Sequence, residues 1–203
     1  DKLFCMFDEH LENKGLISHK GTIVDATFVD APRQRNSRDE NKKIKNGVIP
    51  EEWEKPENKS KLAQKDIDAD WTKKNGERHF GYKDHVKCDA DSKLITNYSV
   101  TSASVHDSQR CLVFIGQEDE VLYADSAYSG KPIALALPSE QKMNNRRKSR
   151  IRCRIEQIFG FMTGAMHGIT IRSIGITRAW MNIGITNLVY NFCRYSYLKR
   201  ASA

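Results

Sequence analysis

The stretch that decides the fold of this chain is Arg146-Arg-Lys-Ser-Arg-Ile-Arg-Cys-Arg-Ile-Glu-Gln-Ile-Phe-Gly-Phe-Met162. On a period of 3.6 residues its apolar side chains fall on one stripe, which consists of Ile151, Ile155, Ile158, Phe159 and Met162. Four arginines fall on the opposite side, namely Arg146, Arg147, Arg150 and Arg154. The pattern predicts a helix that packs one face against a core and presents a basic face outward.

A single acidic residue interrupts this basic helix. After Glu120 the chain contains only three carboxylates, Asp125, Glu140 and Glu156. Glu156 lies one helical turn from Arg152 at the edge of the apolar stripe, where side chains are partly buried. One interpretation is an i−4 Arg–Glu pair that supports an exposed helix by roughly a few tenths of a kcal/mol. The other is that Glu156 points into a metal site while the arginines hold an anionic polymer beside it.

The charge of the chain is unevenly distributed, although the net charge is only +7. Residues 1–120 contain 20 Lys and Arg against 23 Asp and Glu, whereas residues 121–203 contain 13 against 3. A merely solvated basic face is less favoured, because its usual acidic partners are missing from the last third of the chain. The asymmetry indicates a phosphate-binding surface in that third, and therefore a nucleic acid as partner.

Cysteine spacing and hydropathy exclude several other classes of protein. The five cysteines are scattered without a Cys-x-x-Cys pair, which disfavours a zinc site or a disulfide framework and fits a reducing cytosol. No signal peptide is visible, and no apolar run reaches the roughly 18 residues that a membrane span needs. Because the chain lacks an initiator Met and opens within a helical pattern, Leu3 to Leu11, we expect it to be a fragment.

Residues 22–31, Thr-Ile-Val-Asp-Ala-Thr-Phe-Val-Asp-Ala, predict a strand rich in β-branched residues. Alternation places Ile23, Asp25 and Thr27 on one face. Both faces are largely apolar, as in a central strand, so Asp25 is an acid within a core. A buried carboxylate costs on the order of several kcal/mol unless it is paired or bound to a metal. Asp25 is therefore either a satisfied structural residue or a ligand, whereas Asp30 belongs to the turn that ends the strand.

The rest of the pattern predicts a sheet with flanking helices. The segment from Pro32 to about Asp70 is polar and aperiodic, which predicts a long surface insertion. A three-stranded meander is expected next, with a short strand from Trp71, an Asn75-Gly76 turn, and strands over 79–88 and 94–103. Helices are expected before Gly15, from an Asp107 cap to Phe114, over Lys131–Leu137, and after Ile171, where the apolar pattern should cover the sheet.

Val121-Leu-Tyr-Ala-Asp125 is a short apolar run that ends in an acid. Such a run predicts a strand in the parallel part of the sheet, with Asp125 at the carboxyl end, where α/β sheets place functional groups. Together Asp25, Asp125 and Glu156 supply only oxygen ligands, which suit Mg²⁺ or Mn²⁺ rather than zinc. Two such ions can activate the attacking oxygen and stabilise the leaving oxygen of a phosphoryl displacement. The basic helix would hold the phosphodiester.

Several segments together match one known pattern. They are Val24-Asp25-Ala-Thr, Ala124-Asp125-Ser-Ala-Tyr-Ser-Gly130 and Arg152-Cys-Arg-Ile-Glu156-Gln-Ile-Phe-Gly, supported by Phe80-Gly-Tyr-Lys-Asp-His-Val-Lys and Val105-His-Asp-Ser. The chain in these segments resembles the DDE transposases of the insertion-sequence 5 family. The resemblance covers about Lys14 to Arg194, and its most specific element is the pairing of Arg152 with Glu156.

The resemblance implies an α/β fold of the ribonuclease-H-like type over residues 21–203, with the insertion at about 32–70, and residues 1–20 as the end of a preceding helical region. It implies a DDE site that binds Mg²⁺ or Mn²⁺ through Asp25, Asp125 and Glu156, and cleavage and strand transfer of DNA at transposon ends. The partners would be transposon-end and target DNA and a second copy of the chain on that DNA, without a membrane. The expected DNA contacts are Arg146, Arg147, Lys148, Arg150, Arg152 and Arg154.

The chain departs from the family pattern in several places. The family signature has a Tyr three residues before the Arg and a Lys seven residues after the Glu, where this chain has Ser149 and Thr163. The DNA-backbone contacts of that pair are therefore not carried over. An N-terminal DNA-binding region is missing, so we expect impaired recognition of specific ends. The junction at 137–141 replaces a longer segment that contains a strand, and we expect the sheet to lack its last strand.

Three functions remain open at this point. The first is the catalytic domain of a transposase. The second is a non-catalytic DNA-binding remnant, which the short junction at 137–141 favours. The third is a ribonuclease-H-like nuclease that resolves DNA structures, which would share the acid site but lack strand transfer. Nicking of supercoiled plasmid in Mg²⁺ or Mn²⁺ distinguishes the remnant from the two enzymes.

Overall fold

The computed structural model describes residues 1–74, 76–114, 121–124, 145–168 and 170–201, with the backbone alone described at 111, 112 and 145–150. The strands are β1 (Thr22–Asp30), β2 (Asp70–Lys74), β3 (Glu77–Asp89), β4 (Ile95–Ser102) and β5 (Leu122–Ala124). The helices are α1 (Lys2–Asn13), α2 (Arg38–Lys45), α3 (Glu51–Glu54), α4 (Lys59–Ala63), α5 (Ser108–Phe114), α6 (Asn145–Gly164) and α7 (Ile176–Ala201), with a short 3-10 turn at Pro56–Asn58.

Strand β1 lies inside a mixed sheet. It pairs antiparallel with β3 along its whole length, from Thr22 opposite Asp89 to Asp30 opposite Gly81. It also pairs parallel with β5, with Thr22 opposite Leu122. Strands β2 and β4 add to β3 in antiparallel fashion. The predicted α/β architecture of the ribonuclease-H-like type is confirmed, since five strands in the described part of the chain form a mixed sheet with helices against it.

The two faces of the sheet have separate cores, because successive side chains on a strand point to opposite faces. Ile23 and Val29 of β1 belong to the main core, which also contains residues of α6 and α7. Val24 belongs to a smaller core on the other face, together with Phe114 of α5. The alternation predicted for β1 is therefore confirmed, and Asp25 shares the face of Ile23 that α6 and α7 cover.

Helices α6 and α7 cover the main core. Helix α6 buries Ile155, Ile158 and Met162 and packs against both β1 and β5. Helix α7, which is 26 residues long, packs against β4 and β3. These two helices were predicted from their apolar periods, except that α7 begins at Ile176 rather than near Ile171. Ile171 is instead buried in the segment before the helix, where its N–H donates to the carbonyl oxygen of Asp30 at 3.0 Å.

The segment between β1 and β2, the predicted insertion, contains three short helices and one completely buried aromatic side chain. Trp53 is completely buried there, and its Nε1 donates to Oε1 of Glu40 at 2.8 Å. Ser37 and Glu40 form a reciprocal capping box at the start of α2. The sequence did not reveal these helices, because elements of four to eight residues are too short to show an apolar period.

Some expectations fall on residues outside those that the structure describes. They are Asp125, the turn at Ser126–Gly130, the helix at Lys131–Leu137, the junction at 137–141, and Asn75 of the β2–β3 turn. The expected loss of a last strand depends on the same junction. It therefore stays a prediction.

Candidate active site

Asp25 lies in the middle of β1, opposite Val86 of β3. Its side chain is half-buried on the face that α6 covers. Its Oδ1 accepts a hydrogen bond from the N–H of the next residue, Ala26, at 2.8 Å. That bond fixes the carboxylate close to its own strand, and the apolar residues Ile23 and Val29 lie on the same face. An acid held in this way within a central strand fits a ligand as well as a structural residue.

Glu156 is brought to the same face of the sheet by α6. The residue before it, Ile155, is completely buried against the sheet, and Glu156 itself is exposed at the side of that contact. No residue in the described ranges forms an ion pair with Glu156, so the pair with Arg152 on the preceding turn is not formed. This disfavours the interpretation of Glu156 as an Arg–Glu support of the helix. Its carboxylate is left accessible beside the sheet.

The last residue pair of the parallel ladder between β1 and β5 immediately precedes the two candidate aspartates in the sequence. That pair is Val24 with Ala124, and Asp25 and Asp125 are the residues that follow. Asp125 itself lies outside the described residues. The structure therefore brings together the element that carries Asp25, the element that carries Glu156, and the strand that leads into Asp125.

The basic face of α6 is described only from residue 151 onward. The side chains of Arg146, Arg147, Lys148 and Arg150 fall outside the description, although their backbone is helical, as predicted. Arg154 donates to the carbonyl oxygen of Ala90 and to Oδ1 of Asp91, the latter at 3.1 Å.

Arg152 and Arg154 are both half-buried. The contacts of Arg154 engage its guanidinium with the turn between β3 and β4. A cleft of about 400 Å³ beside that turn is lined by Lys20 and Arg154. The DNA-binding role predicted for the six basic residues stays a prediction.

A second acid on the same face of the sheet was missed by the sequence reasoning. Asp84 of β3 is completely buried opposite Thr27, and Asn187 of α7 donates to its Oδ1 at 3.3 Å. Within the described part of the chain, neither Oδ2 of Asp84 nor Oδ1 of Asn187 has a hydrogen-bond partner. Burial raises the pKa of Asp84 to about 7. The signal was available, because alternation along β3 places Asp84 among Phe80, Tyr82, Val86 and Cys88.

A polar network anchors the loop behind β1 on the opposite face. Lys83 donates to Oδ1 of Asp107 at 2.8 Å and to the carbonyl oxygen of Val105 at 2.7 Å. The Nε2 atom of His85 lies 2.8 Å from Oγ1 of Thr101, and burial lowers the pKa of His85 to about 4. These contacts hold the segment before α5, and α5 closes the core beneath Val24.

The described acids fit a site that binds a hard cation through oxygen, but they do not complete one by themselves. Among the residues that the structure describes, no three His, Cys, Asp or Glu side chains are grouped closely enough to hold a metal ion. Two of the three predicted ligands are in those ranges, and the third is Asp125. The helices within the same ranges include none that is long and apolar enough to cross a membrane.

A family model described as the transposase DDE domain matches residues 17–192. No solved structure matches the chain.

Proposed function

The chain belongs to the family of transposase DDE domains, and from that membership we propose that it cleaves DNA at transposon ends and joins the freed strand to target DNA. We propose further that its nearest affiliation within the family is with the insertion-sequence 5 transposases, on the motifs around Asp25, Asp125 and Glu156. Water would first hydrolyse a phosphodiester at the transposon end and release a 3′ hydroxyl. That hydroxyl would then attack a phosphodiester of the target DNA, form a new phosphodiester with its phosphorus, and displace the target strand's own 3′ oxygen as a hydroxyl.

One observation carries the proposal most directly. Helix α6, which contains Glu156, packs across β1 and β5 on the face of the sheet that also holds Asp25. The ladder between β1 and β5 pairs Ile23 with Tyr123. In the sequence, Asp25 follows Ile23 by two residues, and Asp125 follows Tyr123 by two residues. Residues two apart on a strand share a face. The three acids are therefore expected to converge, with carboxylates roughly 4–8 Å apart, a span that one or two bound ions can bridge.

The donor chemistry of the proposed site fits Mg²⁺ or Mn²⁺. Carboxylate oxygens are the protein ligands that these hard cations prefer, and the proposed set of Asp25, Asp125 and Glu156 contains no sulfur or imidazole. A bound divalent ion supplies Lewis-acid stabilisation of the phosphodiester oxygens. The accessible carboxylate of Glu156 would face the substrate side, and the half-buried Asp25 would be held in place by Ala26.

The basic part of α6 would hold the DNA next to these acids. Arg146, Arg147, Lys148 and Arg150 precede Glu156 on the same helix, and Arg152 lies one turn before it. Contacts from such residues to phosphates position the duplex without reading its sequence. We propose that α6 serves both purposes, with the first turns binding the backbone and the middle supplying the third acid.

The proposal is tested with the substitution Glu156→Gln in a plasmid-nicking assay. The amide keeps the size of the side chain but removes the charge that would hold a divalent ion. We expect the wild-type protein to nick supercoiled DNA only when Mg²⁺ or Mn²⁺ is present, and we expect cleavage by the variant to fall by orders of magnitude. DNA affinity should be unchanged or higher, because a carboxylate that faces phosphates has been removed.

Glu77→Gln is the matched control, since Glu77 is an exposed glutamate at the start of β3. It should leave nicking unchanged. Nicking by Glu156→Gln at the wild-type rate would show that Glu156 is not a ligand. A wild-type protein that binds DNA in a salt-dependent way but never nicks it would instead support a catalytically inactive remnant.

A further inference from the structure

A second basic surface lies beyond the carboxyl end of β1. It lines a cleft of about 440 Å³ between the insertion and the residues just before α7. Among the described residues, two arginines and two lysines line this cleft, namely Arg33, Arg172, Lys61 and Lys65. The cleft was not foreseen from the sequence, because its first and last lining residues, Pro32 and Ile174, are 142 residues apart along the chain.

Within the described ranges, Asp66 is the one acid that lines the cleft, and its carboxylate is already hydrogen-bonded within the protein. Asp66 is buried, and its two carboxylate oxygens accept hydrogen bonds from the Tyr82 hydroxyl at 2.7 and 2.8 Å. They also accept from the N–H groups of Asp68 and Ala69, both at 3.1 Å, and of Gly175 at 3.2 Å. With its acceptor sites filled in this way, Asp66 joins the insertion to β3 and to the start of α7.

The lysines stiffen the insertion wall of the cleft. Lys65 donates to the carbonyl oxygen of Arg35 at 3.0 Å and to Oδ1 of Asn36 at 2.5 Å. Lys61 lies 3.5 Å from Oε1 of Glu40, and its ammonium group is also stacked over Trp53. Because these groups are engaged, they hold the wall in shape rather than offering free charge.

The arginines, in contrast, are available. Arg33 and Arg172 are both exposed, and neither forms an ion pair with a residue in the described ranges. The guanidinium of Arg33 is 5.8 Å from the ring centre of Trp71. Stacking of this kind orients a guanidinium while leaving its N–H fork free, and that fork matches the geometry of a phosphate.

We propose that this cleft binds a backbone phosphate of duplex DNA, and that it extends the DNA path from the acid site past the end of β1. This inference rests on the proposed function, which supplies DNA as the substrate. Pro32 follows Asp25 by seven residues, which is about 23 Å along an extended chain at ~3.3 Å per residue. Phosphates of one DNA strand are spaced at about 3.4 Å along the helix axis, so the contact would fall roughly six or seven base pairs from the cleaved bond.

The test uses the double variant Arg33→Ala/Arg172→Ala and measures the salt dependence of binding to a 30-base-pair duplex without divalent metal. Each phosphate contact contributes about 0.9 to the slope of log affinity against log salt. Because the cleft binds one phosphate, we expect the slope to fall by about 0.9, equally for unrelated DNA sequences. The variant Arg33→Lys/Arg172→Lys keeps both charges and should recover most of the slope.

The matched control is Arg38→Ala/Arg78→Ala, which removes two exposed arginines that do not line the cleft. It should lower the slope less than the cleft variant does. The single variant Arg172→Ala provides a second measurement, because Arg172 is exposed and forms no ion pair within the described residues. A folded double variant with the wild-type slope would overturn the proposal.

Two further measurements identify the ligand and its place. Ethylation interference on a cleaved end should show phosphates six or seven base pairs from the cut whose modification weakens the wild-type protein but not the double variant. Inorganic phosphate should raise the melting temperature of the wild-type protein in low salt. If the double variant loses that response to phosphate while its DNA slope is unchanged, the cleft holds a free anion and the DNA proposal is wrong.

Failure of the acid site can be distinguished from failure of the cleft. Nicking is measured with metal, and binding is measured without it. A wild-type protein that fails to nick but loses slope through Arg33→Ala/Arg172→Ala overturns the catalytic proposal and supports the cleft. If the double variant instead nicks DNA normally and binds it with the wild-type slope, the cleft proposal is overturned and the catalytic proposal is supported.

Discussion

At the scale of single residues, the buried carboxylate of Asp84 sets a pH dependence for the stability of the fold. Its folded pKa of about 7 lies above the value of 3.8 for a free side chain, because burial disfavours the charged form. Because the pKa of Asp84 is raised in the folded state, its contribution to the free energy of unfolding is complete at a pH below the unfolded-state pKa. That contribution is lost as the pH rises through the folded-state pKa. Through this one group, the free energy of unfolding can fall by about 1.4 kcal/mol per pH unit between roughly pH 4 and pH 7.

We predict that Asp84→Asn stabilises the protein above pH 7. The amide is neutral, and its NH₂ group can donate to Oδ1 of Asn187, which has no partner in the described part of the structure. Urea unfolding at pH 5 and pH 8 should show a gain over wild type that is larger at pH 8. The exposed acid Glu54 supplies the control, since Glu54→Gln should give no such difference between the two pH values.

Residue-level predictions from the sequence depended on whether the environment of a residue could be inferred from its own element. The face of Asp25 followed from alternation along β1, and the structure confirms it. The environment of Asp84 depends on Asn187, more than one hundred residues away in α7. The anchoring of Arg154 to Ala90 depends likewise on a turn in another part of the chain.

At the scale of elements, Gly81 allows β1, β2 and β3 to meet. It pairs with Asp30 of β1 and with Asp70 of β2, at a φ of 147° that side-chain-bearing residues rarely adopt. A Cβ atom there would overlap the carbonyl oxygen of Val29 and lie 2.7 Å from the N atom of Ala31.

We predict that Gly81→Ala destabilises the sheet by more than the roughly 1–3 kcal/mol that backbone strain alone costs. The added Cβ atom must displace backbone atoms of β1, which are held by the ladder to β3. Gly76→Ala is the control, since Gly76 has a φ of 88° and nothing within 4 Å of the added atom. Thermal unfolding should therefore show a much larger loss for Gly81→Ala, and equal losses would rule out the overlap as the cause.

The first turns of α6 give a second prediction at this scale. Replacing Arg146 and Arg147 with Ala should weaken binding to all duplexes alike and reduce the salt slope by about one unit per lost contact. Lys199→Ala/Arg200→Ala, at the far end of α7, is a charge-matched control that should change the slope less. Weaker binding to one sequence only would indicate that these residues read bases.

Element types were largely predictable, because long apolar periods and alternation are local properties of the sequence. The meander, the parallel strand before Asp125, and helices α6 and α7 were all predicted, and the structure confirms them. The short helices around Trp53 were not predicted. Their stability comes from a buried tryptophan and a capping box rather than from a repeating pattern.

At the scale of the whole molecule, the candidate site is assembled from distant parts of the chain. The acidic strand comes early, the basic helix comes late, and the cleft near Arg33 and Arg172 joins the insertion to the segment before α7. Charge asymmetry predicted the basic region of α6, because that signal is a sum over a long segment. It could not predict the cleft, whose cations are scattered along the chain and become neighbours only through Asp66 and its bonds to Tyr82 and Gly175.

The parallel pairing of β1 with β5 also has a consequence for how the protein is made. It joins Thr22 to Leu122, one hundred residues later, so the ladder can close only after most of the chain has left the ribosome. Until then the strand that carries Asp25 has an open edge, which invites pairing with other chains. Products of translation that stop before β5 should aggregate or be degraded. Because Glu156 is synthesised later still, a nascent chain would lack the last of the three proposed acids while β1 is still unpaired on that edge.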